Sequence, residues 1–275
     1  MPMNALLSAL HTYPVKSLRG LAHETADVEP WGLAGDRRWM LVDEDGRVIT
    51  QRQHAGTALV TAQPSGGGAL RFTAPGRETL RVAPPGHGPA EPVLIFSDKV
   101  EAVAADDAAA TWFSDYLGVP ARLVYMPDPA VCRPVDPEHS RPGDTVSFAD
   151  GFPLLLTATA SLDTLNAHVA QGPHASEGPL PMNRFRPNAV VDGTEAWAED
   201  DWRRIRIGEV TFRVAKRCAR CVVPTTDQET AERGREPMRS LAKHHRIDGK
   251  TIFGQNLIPE HPGTLRVGDP LTILE

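Results

Sequence analysis

Arg38 to Thr50 reads "RWMLVDEDGRVIT". Two apolar runs rich in β-branched and aromatic residues flank an acidic turn at Asp45-Gly46. That is a hairpin: alternating side chains on either arm and a glycine where the turn needs a positive φ. The same grammar recurs outward along the chain. "ALLSALHTYPV", "ALRFTA", "TLRVAP" and "VLIFSD" read as strands before residue 100. "PLLLTA", "PNAVVDG", "WRRIRIG" and "EVTFRVAKR" read as strands after it, and "GTLRVGDPLTILE" closes the chain as a strand in two parts. Twenty-five prolines and 23 glycines punctuate these short segments at close intervals, as in a strand-rich protein rather than a helical one.

Helices are few. "ADDAAATWFSDYLG", Ala105 to Gly118, has acids at its start and glycine at its end. "SLDTLNAHVA" predicts a second helix capped by Thr159 or Ser161, and "EPMRSLAKHHR" a third. "MPDPAVCRPVDPEHSRPGD" is proline-rich without either period and reads as a linker. The expected fold class is therefore α+β, β-rich, in two units: residues 1–125, almost purely β, and residues 126–275, β with a few helices.

Bulk properties narrow the function. The chain has 275 residues, 41% hydrophobic and 23% charged, with a formal net charge of -6. This balance argues against nucleic acid or an anionic membrane as the main partner. "MPMNALLSAL" lacks the basic start of a signal peptide, no apolar run would span a membrane, and three cysteines make no disulfide framework. A cytoplasmic protein is expected. "SGGG" is not followed by Lys-Ser/Thr, so it is no P-loop, and no G-x-G-x-x-G follows a strand.

The chemistry-bearing stretch is "RVAKRCARCVVPTTDQET", Arg213 to Thr230, with its C-x-x-C at Cys218 and Cys221. A thioredoxin-type dithiol opens a helix, but Val-Val-Pro-Thr-Thr is β-branched and proline-broken. A structural zinc site needs two more spaced ligands, whereas Cys132 stands alone and His244-His245 are adjacent. Both cysteines as small buried residues is the plain alternative. Lys216, Arg217 and Arg220 would nevertheless favour a thiolate at Cys221. Other turns add cations and polar groups: Lys16 and Ser17 in "YPVKSLRG", Arg37 and Arg38 in "GDRRW", and Asn183, Arg184, Arg186 and Asn188 in "NRFRPN". Lys, Ser and forked Arg are donors suited to phosphate. Singly each is a solvated turn; together they predict an anion-binding cleft between the halves.

At these residues the chain resembles a known family. "YPVKSLRG…GLAGDRRWMLVDEDGRVITQRQ" is similar to the N-terminal β-barrel domain that accompanies MOSC domains. "NRFRPNAVV", "RCARCVVPTTDQET", "FGQNL" and "GTLRVGDPLTIL" are similar to the MOSC domain itself. The resemblance is to bacterial MOSC proteins akin to the mitochondrial amidoxime-reducing component. It implies a N-terminal β-barrel-like domain followed by a MOSC β-barrel domain, and a molybdenum–molybdopterin cofactor. The metal would be held by the pterin dithiolene and Cys221, and the pterin phosphate by Lys16, Ser17 and Arg37. Thr159, Ser161, Arg186, Asn188 and Thr225 match positions near the cofactor. Asp227 is the candidate proton donor, its alternative role being to cap the turn at "TTDQET". A further departure is at Thr159, where the amidoxime-reducing branch often has an acid.

The resemblance implies a molybdenum oxidoreductase reducing N-hydroxylated compounds. Pyridoxal phosphate binding is not expected. With no ferredoxin cysteines before Glu275, an external flavin or iron–sulfur reductase is the expected electron donor. Two alternatives remain open: a sulfur carrier or cofactor-maturation protein bearing a persulfide on Cys221, and a zinc or thiol binding module without turnover.

Overall fold

The computed structural model describes residues 5–86 and 88–275. It is a strand-rich α+β structure with four α-helices among the described residues. The largest sheet has nine strands. Eight lie in the order Leu271–Ile273, Arg204–Ile207, Val210–Ala219, Lys250–Pro259, Leu154–Ala158, Ala189–Asp192, Leu6–Thr12 and Leu21–His23; the ninth, Arg246–Ile247, pairs with Lys250–Pro259. Leu154–Ala158 and Ala189–Asp192 pair in parallel. The helix Thr159–Ala170 lies in the connection between them, as a parallel crossover requires.

The opening residues are stitched to the chain's end. Leu6–Thr12 pairs antiparallel with Ala189–Asp192, and Thr25–Glu29 pairs with Gly263–Arg266. Trp39–Val42, Arg122–Tyr125, Asp98–Ala104 and Ala90–Ile95 form a four-stranded sheet, and Thr61–Pro64, Leu70–Thr73 and Leu80–Val82 a meander. Around the large sheet, Leu7, Leu10, Leu156, Val191, Phe212 and Leu257 share one core. Phe72, Phe113, Val60 and Leu123 centre another, under the meander and the helix Asp107–Leu117.

Several local expectations hold in detail. The Asp107–Leu117 helix is capped by Asp106, whose side chain accepts from the Ala109 N–H, and ends on Gly118 at φ 69°. In the predicted hairpin, Asp43 accepts from the Asp45 and Arg47 N–H groups and Gly46 takes φ 73°. Two expectations are corrected. The Thr159–Ala170 helix has Ala158 at its N-cap and no side-chain cap, because Thr159 and Ser161 spend their hydroxyls on Val191 and Glu199. The proline-rich linker also contains a one-turn helix, Pro129–Cys132, capped by Asp128.

Candidate active site

Lys16 and Ser17 sit on a turn tied to the next strand: the Lys16 N–H donates to Trp39 O at 2.8 Å. The Lys16 side chain is buried. Its ammonium donates to Phe148 O at 2.8 Å and to the Asp150 carboxylate. Burial lowers the Lys16 pKa to about 8, against the opposing pull of Asp150. The Asp150 side chain is exposed, and Lys16, Arg52 and Arg37 hold its carboxyl well below the usual range.

Arg37 and Arg186 clamp one aromatic ring. Their guanidinium carbons lie 4.2 and 4.3 Å from the centroid of buried Tyr13. Arg37 Nη1 donates to Asp36 at 2.5 Å and to Asn188 Oδ1 at 2.9 Å. Tyr13 donates its hydroxyl to Pro187 O at 3.1 Å, and burial pushes its pKa up to about 12. Burial, aided by neighbouring Arg37, lowers Arg186 to about 10. Cations this crowded raise the local potential and call for an anion.

Cys218 and Cys221 close the other side. Arg220 Nη1 donates to Cys218 Sγ at 3.1 Å, and Nη2 to Phe185 O at 2.8 Å. Arg52 comes from the opposite half. Burial would lower its pKa, but the adjacent Cys221 sulfur and Asp150 raise it on balance. Arg184 braces the turn after Cys221 through Thr225 O at 3.1 Å and Asp227 Oδ2 at 2.8 Å.

One open cleft gathers many of these groups. Lys16, Arg37, Arg52, Arg186 and Arg220 face it against a single carboxylate, Asp150, with Ser17, Asn188, Cys218 and Cys221. Its backbone is strained. Among the described residues, seven non-glycine residues have φ in the left-handed region, and four of them, Ser17, Arg37, Phe96 and Arg186, line this cleft. Each such residue costs of order 1 kcal/mol or more and clusters where function demands it.

Four matched residues lie apart from the lining. Thr159 donates to Val191 O at 3.2 Å. Ser161, fully buried, donates to Glu199 at 2.9 Å and accepts from the Trp197 N–H. Thr225 donates to Val222 O at 2.8 Å. Asp227 takes the turn-capping role: Oδ1 accepts from the Glu229 and Thr230 N–H groups at 2.8 and 2.9 Å, while Oδ2 holds Arg184. Burial slightly opposes, but these donors keep its carboxyl low. No histidine joins the two cysteines among the described residues: His244 stacks on His168 at 3.9 Å, and His245 bonds Asp200 and Ile252 O. Arg52, Gln51, Phe96 and Asp150 are the lining residues that motif reading overlooks. Arg52 and Gln51 lie within the quoted "ITQRQ", whereas nothing local marks Phe96 or Asp150.

The MOSC N-terminal beta barrel domain model matches residues 4–120, and the MOSC domain model residues 143–272. Mitochondrial amidoxime-reducing component 1 of Homo sapiens is 30% identical over 287 residues, covering 98% of this chain and 82% of that protein. The chain belongs to the MOSC-domain family. Within that family, the Danio rerio component 1 is 32% identical over 282 residues, covering 97% of this chain and 84% of its own. The molybdenum cofactor sulfurase of Oryza sativa subsp. japonica is 30% identical over 265 residues, 90% of this chain and 32% of that protein. The MOSC match contains Cys218 and Cys221, and the N-terminal match contains Lys16, Arg37 and Arg52, so the cleft draws on both matched regions.

Proposed function

We propose that the cleft binds a molybdenum–molybdopterin cofactor and that the protein reduces N-hydroxylated compounds with it. The observation that carries this reading is the convergence of five cations and a cysteine thiol on one cleft whose backbone is strained at three of the matched residues. The donor set fits such a group. A phosphate would take Lys16, Ser17 and Arg37, a point charge, a hydroxyl and a fork. Arg186 and Asn188 would border the pterin. The Arg220 Nε is buried and has no partner among the described residues, so the site holds a donor without a partner there, as a polar guest could use. Cys221 would supply one thiolate to the metal, which prefers soft sulfur ligands.

When bound, the cofactor supplies the two-electron redox chemistry and the oxygen-accepting position. The chain's own residues fix, orient and neutralise it. Arg37 and Arg186 are themselves fixed by Tyr13 and Asn188, so the anion site is set before a guest arrives. Each N–O bond reduced consumes two electrons and two protons and releases one water. Three cysteines are fewer than the four thiolates that hold a common iron–sulfur cluster, and the donor proposed here is an external flavin or iron–sulfur reductase. Asp227, tied by three donors, serves the Cys221 turn as its brace.

The sulfurase likeness favours one second reading, Cys221 as a persulfide carrier. Metal and sulfane-sulfur analysis of protein made in a molybdenum-replete host decides between the two. The reductase reading expects molybdenum, a fluorescent pterin after oxidation and dye-driven reduction of benzamidoxime. Labile sulfur without molybdenum would replace it with the carrier reading, and zinc with a binding module.

A further inference from the structure

The hairpin of Ala90–Ile95 and Asp98–Ala104 turns through only Phe96 and Ser97. Phe96 has φ 55°, which glycine or asparagine adopts at far lower cost than an aromatic. Its side chain is not hidden either, for the residue is 45% exposed. A bulky aromatic at a left-handed turn with half its surface in water is a poor choice for stability alone. The ring borders two clefts. Phe96, Asp150, Gly151 and Phe152 line both the Cys221 cleft and an adjoining one that runs past Cys132 and Arg133. Phe96 therefore stands at the partition through which the second cleft meets the first.

The ring also holds a flat cation. The Arg52 guanidinium carbon lies 4.7 Å from its centroid and the Lys16 ammonium 5.5 Å. That same guanidinium faces the Cys221 sulfur and reaches Asp150 at 3.8 Å. A planar, delocalised nitrogen cation thus rests on Phe96 beside both the thiol and the carboxylate. An amidoxime shares this planar, delocalised nitrogen shape without the like charge, and an aromatic one adds a face for stacking.

We propose that Phe96 is a specificity-determining residue, its ring being the platform on which flat amidoxime-type substrates stack as they enter the Cys221 cleft. This rests on the reductase reading, since it assigns the ring to that reaction's substrate. Two measurements test it on the purified full chain. Calorimetric titration with benzamidine, the oxygen-free analogue, reads binding whatever the metal content. Phe96→Leu should raise the benzamidine Kd about tenfold and Phe96→Trp should hold or lower it, as expected for loss or retention of a π face. In loaded protein, Phe96→Leu should raise KM for benzamidoxime with little change in kcat. The kcat/KM ratio of benzamidoxime over hydroxylamine should fall about tenfold, consistent with lost stacking. An unchanged Kd in Phe96→Leu, a tenfold loss in Phe96→Trp, or an equal loss for hydroxylamine would overturn the assignment. Absence of molybdenum from the wild type would instead refute the reductase reading, and the benzamidine titration would still decide the role of the ring.

Discussion

Arg37 Nη1 donates to Asn188 Oδ1 at 2.9 Å, joining a turn of the first matched region to a turn of the second. Asn188 is almost fully buried and also accepts from the Leu155 N–H at 3.2 Å and donates to His11 O at 3.1 Å. One side chain therefore fixes three segments and the arginine that faces the cleft. Asn188→Ala should cost about 2–4 kcal/mol, from orphaned buried partners. Denaturant unfolding checks this, with a lower midpoint at unchanged slope.

Lys16 gives the site a pH dependence. Its folded pKa, about 8, lies below the ordinary lysine value of 10.5. Between those values the unfolded chain binds more protons, so this group's contribution to stability rises with pH across that window. Anion binding runs the other way, because only the ammonium attracts phosphate. Affinity for the cofactor should fall as pH rises through about 8, and equilibrium dialysis of loaded protein checks it. Lys16→Ala should lower occupancy about tenfold at limiting cofactor and flatten that dependence.

His245 and Asp200 set a second pH effect, away from the cleft. His245 Nε2 lies 2.8 Å from Asp200 Oδ2, both side chains are 10% exposed, and Trp197 stacks on the imidazole at 3.8 Å. Burial lowers the imidazole pKa, but the Asp200 and Ile252 hydrogen bonds outweigh it and raise the value above 6.5. A raised folded pKa contributes stability that is full below 6.5 and is lost as pH climbs through the folded value. His245→Gln should remove this pH-dependent part. Thermal melts from pH 5.5 to 8.5 read it directly.

Electron supply gives a kinetic test. The purified chain should reduce benzamidoxime with a reduced artificial dye and give no turnover with NADH alone. Robust NADH-driven turnover without a partner protein would contradict an external donor.

Much of the fold was legible because its strands carry one-sided patterns. Leu70–Thr73 alternates buried and exposed, as does much of a half-buried sheet. Lys250–Pro259 escaped notice: seven of its ten residues are buried, in runs, which erases alternation, and its Gly254 reads as a breaker. In the structure Gly254 has φ 83°, and a Cβ there would meet Leu156 O at 2.5 Å, so the glycine permits close strand approach. The basic turns at Lys16, Arg37 and Arg186 were visible from residue type, and the cleft gathers them. Thr159 and Ser161 matched in sequence, but their hydroxyls anchor a helix to its neighbours. Phe96 and Asp150 join the cleft only through tertiary packing, which leaves no local pattern.

On the proposed reading, Cys221 is the single working thiolate. A dithiolene would bring two sulfurs, so one protein thiolate would suffice and Cys218, held by Arg220, would have a supporting place. The direct measurement is molybdenum per chain in wild type, Cys218→Ser and Cys221→Ala made in a molybdenum-replete host. The account predicts molybdenum near one per chain in wild type, most of it kept in Cys218→Ser, and a lost or altered molybdenum signal with no activity in Cys221→Ala. Equal loss in both variants, or zinc in the wild type, would contradict it.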